Sequence, residues 1–244
     1  MDLSEVRTLF IERSGRNDLI SVDEEDVVTD NGADFFIQSG QDTLDGMVET
    51  PKSWARSFKT LAVDDYYAIF KGCRAVKEVW LATSEGRVRL SKVTQSEMRI
   101  LNNEDSPADV ESGDTYRYCL ISLRTYPDPT KVIIDYLYDD KLEDDATEDY
   151  EYTGIIFSPP TDAAAQLEVF GLFQSPTLTD DADESYWTVK KPAVLLMAAL
   201  YHLEVSYRNT EGAKDWMGAI RLELEGLEKD LVEMEIADVT HIEG

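Results

Sequence analysis

The segment Tyr186–Tyr207, YWTVKKPAVLLMAALYHLEVSY, decides how the last quarter of the chain folds. Pro192 presets the backbone for the first turn of a helix, where its missing N–H would have had no partner in any case. The residues from Ala193 onwards are apolar on nearly every side of such a helix. A helix of this kind is buried on most of its circumference, so we expect it to lie inside a packed core.

A second helix is predicted behind the first. Asn209 and Gly212 indicate a turn, and large apolar residues then recur at spacings of three and four, namely Trp216, Ile220, Leu224, Leu227, Leu231 and Met234. This spacing forms one apolar stripe along a helix. The two segments together predict an α-helical hairpin that closes a hydrophobic core.

The segments ahead of the hairpin follow a distinctive order. Ser158–Asp162 (SPPTD) is a proline-rich break, Leu167–Phe173 (LEVFGLF) has the composition of a strand, and Pro176–Asp181 (PTLTDD) is a turn. Trp187 and the proline-led helix come next. Between about residues 158 and 231 this order resembles the head-to-tail adaptor proteins, also called neck or head-completion proteins, of tailed bacteriophages.

The resemblance implies a structural role in the virion. Proteins of that family form a cyclic oligomer, commonly dodecameric, that lies beneath the portal protein and joins it to tail or nozzle proteins. The genomic DNA passes through the lumen of the ring without specific binding. The resemblance therefore implies a location in the head–tail neck after assembly in the host cytoplasm, with neither a membrane nor a cofactor involved.

The composition indicates a protein with a substantial core. The 244 residues are 43% hydrophobic, which suits one large domain or two smaller ones. The longest apolar run, Ala193–Tyr201, is far shorter than the roughly 20 residues of a membrane span. We expect no secretory signal, because the first residues lack its basic and apolar regions. Cys73 and Cys119 lie in apolar, strand-like sequence, which favours buried free thiols over a disulfide.

The net charge is strongly negative. The chain has 50 acidic and 23 basic residues, a formal charge of −27, and so we expect no binding of nucleic acid through clustered cations. Three interpretations remain open: a solvated acidic surface, which includes adaptation to a salty habitat; a ring lumen that repels the DNA backbone; and a DNA mimic. The mimic, an inhibitor of a nucleic-acid-binding protein, is the alternative function from another class. Another tail-completion subunit is a further alternative.

Acidic residues concentrate at residues 23–26, 139–151 and 180–184. Runs of this kind are usually solvated loops. We predict that the run at 139–151 is a hairpin tip or a loop. A tip of that sort also suits docking on a neighbouring subunit or virion protein.

The predicted fold class is α+β, with a helical N-terminal part, a C-terminal α-hairpin, and an antiparallel β-sheet or small barrel inserted between them. Residues 1–52 are expected to form the N-terminal helices, the first of them capped by Asp2 or Ser4. Residues 53–176 are expected to form the β-rich insertion. Residues 177–244 then supply the acidic turn and the hairpin, which packs on the N-terminal helices.

A second N-terminal helix is predicted to begin near Thr29 or Asp30. Gly40 and Gly46 weaken it, because glycine lowers helix stability. Pro51 is expected to end it.

The β-rich part is predicted from runs of β-branched and aromatic residues. Trp54 and Phe58 are expected to be buried in its first strand, and Thr94 is expected to lead a short helix. The strand-like segments are Trp54–Val63, a hairpin over Cys73–Lys92, a second hairpin formed by Tyr116–Tyr126 and Lys131–Tyr138, Tyr152–Phe157 and Gln166–Phe173.

Motifs for catalysis are absent from the sequence. It contains no Gly-x-x-x-x-Gly-Lys-Ser/Thr loop, no Gly-x-Gly-x-x-Gly and no Gly-x-Ser-x-Gly elbow. The two histidines are His202, expected to be satisfied or interfacial, and His241, and no Cys-x-x-Cys pattern exists. Carboxylate pairs are too numerous for any one to be informative. We therefore predict a non-enzyme with no catalytic, cofactor-binding or metal-binding residues.

Overall fold

The chain folds into two compact units. The structure, a computed structural model, describes residues 1–23, 28–48, 54–84, 86–102, 110–122 and 152–239. One unit comprises residues 1–53 and 174–244, and the other comprises residues 54–173. We call them the helical unit and the sheet unit.

The described residues form six α-helices and ten β-strands. The helices are α1 Leu3–Ser14, α2 Ala33–Met47, α3 Gln95–Leu101, α4 Tyr186–Lys190, α5 Pro192–Ser206 and α6 Thr210–Val239. The strands are β1 Ile20–Val22, β2 Val28–Asp30, β3 Trp54–Leu61, β4 Tyr67–Lys71, β5 Cys73–Thr83, β6 Gly86–Arg89, β7 Ser91–Lys92, β8 Arg117–Ser122, β9 Tyr152–Ser158 and β10 Ala165–Phe173. No helix within this described part of the chain is long and apolar enough to cross a membrane.

Helix α5 lies in the core of the helical unit, as its all-round apolar surface predicts. It packs against α1, α2, α4 and α6. Pro192 at its first turn disfavours helical geometry in the residue before it. Lys191 accordingly has φ −137° and ψ 47°, which separates α4 from α5. The buried residues of α5 are Val194, Leu195, Ala198, Ala199, Leu200 and Leu203.

The packing of α2 on α5 depends on a glycine. A Cβ atom at Gly40 would lie 2.8 Å from the backbone nitrogen of Ala199 and 3.2 Å from the Cβ of Ala198. Gly40, predicted as a weakness of the helix, therefore lets two helix backbones approach closely. Gly46 of the same helix differs, because its Cβ would meet no atom within 4 Å.

A buried arginine joins three segments of the helical unit. Arg7 of α1 donates to both carboxylate oxygens of Asp34 in α2, and to Asp181, with donor–acceptor distances of 2.7 Å. The hydrogen bonds to Asp34 are the main reason that the pKa of Arg7 lies above its usual value. Paired carboxylates supply what a buried guanidinium requires. Asp181, predicted to lie in a solvated acidic turn, thus has a structural partner.

The described residues of the sheet unit form two four-stranded sheets that enclose one core. The first sheet has the strand order β3-β10-β5-β6 and is antiparallel. The second has the order β4-β9-β8-β7, in which β7 and β8 are parallel. Val79, Leu167 and Val169 of the first sheet share the core with Phe70 and Phe157 of the second.

Helix α3 covers the other side of the second sheet. Its Met98 clusters with Cys119, Ile121 and Ile156 of strands β8 and β9. The prediction that Thr94 leads this helix is confirmed, because Thr94 and Glu97 form a capping box. Strands β8 and β9 are therefore apolar on both sides, since one side faces the first sheet and the other faces α3.

The predicted fold class is wrong in its arrangement of these elements. The protein is α+β, but β1 and β2 form a two-stranded sheet within the N-terminal part, which was expected to be helical. The C-terminal part has three helices among its described residues instead of a hairpin, because Pro192 divides α4 from α5. The described middle strands form two sheets instead of one sheet or barrel, because β8 and β9 need apolar cover on both sides.

Helix starts were predicted with mixed success. Asp2 or Ser4 was predicted to cap α1, and the structure shows that Asp2 is the cap, in a capping box with Glu5. Helix α2 begins at Ala33, later than predicted, because Thr29 and Asp30 pair in the small sheet.

Some predictions lie outside the described residues. They are the acidic runs at 24–26 and 139–151, the second hairpin beyond Ser122, the residue His241, and the side chains of Leu231 and Met234. The predicted end of α2 at Pro51 can be compared, because the helix already ends at Met47.

Candidate interaction surface

One side of the first sheet carries arginines and aromatic rings. Directly paired residues of antiparallel strands point to the same side of a sheet, and the pairings join β3 to β10, β10 to β5 and β5 to β6. The side away from the core therefore presents a set that we call the arginine–aromatic face: Trp54, Arg56, Phe58, Glu78, Trp80, Arg87, Arg89, Glu168 and Phe170.

Two glutamates hold the arginines of this face in place. Glu168, in the central strand β10, forms an ion pair with Arg56 at 3.1 Å and accepts a hydrogen bond from Arg87. Glu78 forms an ion pair with Arg89 at 3.1 Å. The side chain of Glu168 is only 10% exposed, and the two flanking guanidinium groups supply the pairing that its burial requires.

Guanidinium groups also cover two of the rings. The guanidinium carbon of Arg87 lies 4.8 Å from the ring centroid of Trp80, and that of Arg56 lies 5.7 Å from the centroid of Phe170. Both distances are in the range of cation–π attraction. The ring of Trp54 meets Phe170 edge-on at 6.0 Å. The face is thus a connected network of charges and rings.

The aromatic residues of β3 are exposed. Phe58 is 53% and Trp54 is 40% exposed, so the prediction that they are buried is wrong. Leu61, in contrast, is buried. Side chains alternate along a strand, so Leu61 points to the opposite side from Trp54 and Phe58, and only one of the two sides faces the core. The spacing separates Leu61 from Trp54 and Phe58, but it does not identify which side of the strand is covered.

Charge is unevenly distributed along the chain. Residues 54–102 contain nine basic and five acidic residues, a net charge of +4 within a chain of −27. The four strands of the first sheet contain six basic and two acidic residues. The segments 1–53 and 174–244, which form the helical unit, contain 10 basic and 28 acidic residues, a net charge of −18. The total charge conceals this separation.

The described residues offer little for metal or thiol chemistry. Within the described ranges, no group of three or more His, Cys, Asp and Glu side chains is placed to hold a metal ion. Cys73 and Cys119 are free cysteines, as predicted. Burial raises the pKa of each thiol to about 11. Both thiols are therefore protonated at neutral pH, which makes them poor nucleophiles.

Trp187 is fully buried in the core of the helical unit. Its indole N–H donates to Asp45 of α2 at 2.7 Å. The Asp45 carboxylate is itself buried and also accepts from the backbone N–H of Ser175 at 2.6 Å and from its hydroxyl at 3.0 Å. These hydrogen bonds link α2 to Trp187 and to Ser175, which follows strand β10 in the chain.

His202 joins two helices of the helical unit. Its Nε2 lies 2.7 Å from the hydroxyl of Thr43 in α2. The ring also meets Tyr201 edge-on, with centroids 5.1 Å apart. His202 is therefore a satisfied histidine, one of the two roles predicted for it.

We expect His202 to make the stability of the protein depend on pH. Burial lowers its pKa, while a hydrogen bond with the Ser39 backbone and the charge of Asp42 oppose that shift. The unfolded chain binds the proton at about pH 6.5 and the folded chain only at lower pH, so stability falls as the pH drops below about 6.5. Thermal melting between about pH 5 and 7 should show a shallower slope for His202→Gln than for the wild type. Equal slopes would contradict this role.

Comparison with known proteins adds no relative to these observations. No protein-family model matches the sequence, and a search of the curated proteins returns no match. A function must therefore be proposed from the surfaces of the chain and from the resemblance in its sequence.

Proposed function

We propose that this chain is a structural virion protein, a ring-forming head-to-tail adaptor that joins the portal to the tail and lines the DNA channel. The order of elements after residue 158 supports the proposal. Strand β10, the turn through Asp181, the short helix α4 with Trp187, and the proline-led α5 follow one another along the chain. This is the order on which the resemblance to the adaptor family rests.

The unequal charge of two surfaces is the observation that carries the proposal. A closed ring is built from heterologous contacts, in which two different patches of each subunit meet. The helical unit has a net charge of −18, whereas the arginine–aromatic face contains three arginines and two glutamates, a net charge of +1. Surfaces of opposite charge on one subunit suit repeated head-to-tail contacts. A two-fold dimer instead requires one patch that complements itself.

The acidic helical unit also suits the wall of a DNA channel. Helix α6 exposes the carboxylates of Glu211, Asp215 and Glu223 to solvent. Such groups repel phosphates over a Debye length of about 8 Å at physiological ionic strength. A duplex then passes through the lumen without adhering to it.

Assembly with a portal protein encoded in the same genome tests the proposal. The purified chain and the portal are mixed, and the particles are imaged by electron microscopy. We expect an additional ring on the portal axis with the rotational order of the portal, commonly twelvefold. A portal that binds no copies, or binds them away from its axis, would show that the chain is not an adaptor.

The charge of the helical unit favours a second candidate, a DNA mimic whose carboxylates occupy the basic groove of a nucleic-acid-binding protein. The two candidates differ in oligomeric state, because the adaptor acts as a ring and the mimic as a monomer or dimer. Strong inhibition of a DNA-binding enzyme by the monomer, together with a failure to bind a portal, would select the mimic.

A further inference from the structure

We propose that the arginine–aromatic face binds the acidic helical unit of a second copy of this chain. This contact rests on the proposed function, because it is the one through which neighbouring subunits of the ring would meet. It assigns particular residues to that contact. Phe58 and Trp54 are its apolar anchors, and Arg56 and Arg89 are its charged ones.

Charge complementarity selects the occupant of the face. The arginine–aromatic face, with three arginines and two glutamates, meets a helical unit with a net charge of −18. Complementary charges across an interface steer the encounter and fix the register of the partners. Exposed carboxylates for this contact lie on α1, at Glu5 and Glu12, whereas Glu211, Asp215 and Glu223 of α6 belong to the channel wall.

The exposed rings supply the affinity of the contact. Phe58 has more than half of its surface in water, and Trp54 lies four residues earlier on the same side of β3. Aromatic residues and arginine are enriched among the few interface residues that carry most of the binding energy. Arg56 lies between the two rings along β3, and Arg89 lies at the other edge of the sheet on β6; both side chains are 58% exposed. An apolar centre with a polar rim is the usual form of a protein-binding patch.

The repulsion between two acidic copies sets the conditions for binding. Two chains of net charge −27 repel strongly at low ionic strength, where the Debye length is about 30 Å. At physiological ionic strength the Debye length falls to about 8 Å, so distant charges no longer act on one another. Groups in direct contact are screened much less. Association therefore strengthens as salt rises from low to physiological concentration.

A second copy fits this face better than a nucleic acid does. The guanidinium groups of Arg87 and Arg56 cover the rings of Trp80 and Phe170, on which bases would otherwise stack. The net charge of the whole chain further repels phosphates.

Isotope-mixed cross-linking of the full chain tests the identity of the occupant. Isotopically heavy and light copies are mixed at physiological salt and treated with a zero-length reagent that joins amines to carboxylates. Copies that carry Arg56→Lys or Arg89→Lys supply amines within the face, where both arginine side chains are 58% exposed. We expect heavy–light peptides that join these amines to carboxylates of the helical unit. Cross-links found only within single copies, or heavy–light peptides from other surfaces, would overturn the proposal.

Variants then test the residues of the face by sedimentation of the same protein. Phe58→Ala and Arg89→Glu should each weaken self-association by about tenfold or more. Tyr116→Ala and Lys92→Glu are the matched controls, because both residues are exposed and lie outside the face, and they should associate like the wild type. Circular dichroism confirms that each variant is folded. Equal association of all four variants would overturn the proposal.

The outcomes separate this contact from the adaptor function itself. Rings that form regardless of Phe58 and Arg89 would overturn the contact and leave the adaptor proposal standing. Association that depends on the face but stops at two copies would support the contact and contradict the ring. Binding of a fluorescent single-stranded oligonucleotide that Phe58→Ala abolishes would assign the face to nucleic acid and overturn the proposal.

Discussion

Replacement of Trp187 by alanine should unfold a large fraction of the protein under conditions in which the wild type is stable. The indole is fully buried in the core of the helical unit, and its N–H donates to the buried carboxylate of Asp45. Removing a buried tryptophan side chain costs about 3–5 kcal/mol, a large share of the roughly 5–15 kcal/mol that keeps a domain folded. Urea unfolding followed by circular dichroism measures the loss directly.

Trp54→Ala is the matched control for this substitution. Trp54 is 40% exposed on the arginine–aromatic face, so the same change should cost much less stability and should instead weaken self-association. A Trp187→Ala protein that melts like the wild type but fails to assemble would overturn the core assignment of Trp187 and make it an interface anchor.

Alanine at Gly40 should destabilise the helical unit, whereas alanine at Gly46 should stabilise it. The Cβ at position 40 would lie 2.8 Å from the backbone nitrogen of Ala199, and neither helix backbone can yield without moving α2 away from α5. Overpacking of this kind typically costs about 1–3 kcal/mol and occasionally more. The midpoint of urea unfolding reports the change.

The two glycines form an internal control, because both lie in α2. At Gly46 the new Cβ meets no atom within 4 Å, so only the higher helix propensity of alanine remains, worth about 0.5–1 kcal/mol. Opposite signs at the two positions are expected. Stabilisation by both substitutions would show that α2 and α5 are not packed as closely as described.

Signals that act over a few residues were sufficient to predict parts of the fold. Thr94 and Glu97 form a capping box within one turn, and Pro192 fixes the start of α5. The burial of α5 also followed from its own sequence, because a helix that is apolar on all sides has no face to expose. These features require no knowledge of distant segments.

The errors arose where distant segments decide the outcome. Trp54 and Phe58 point away from the core because the second sheet packs on the other side of β3, and no local signal of that strand identifies which side is covered. Gly40 weakens an isolated helix but is required once Ala198 and Ala199 pack against it. Its role depends on the partner and not on its neighbours in the sequence.

The arginine–aromatic face was missed for a similar reason. Arg56, Glu168 and Arg87 come from three strands that are far apart in the chain, and only the register of the sheet brings them together. The pattern of alternate residues in β3, β5 and β6 and the local excess of basic residues were present in the sequence. The strongly negative total charge concealed that excess.

Native mass spectrometry of the chain with and without its portal protein tests the ring most directly, because it counts the copies in each particle. A closed assembly whose mass equals a whole ring of 27.6 kDa subunits, commonly twelve, on one portal is the expected result. A chain that remains monomeric both alone and in the presence of the portal, at every salt concentration tried, would contradict the ring and the function proposed for it.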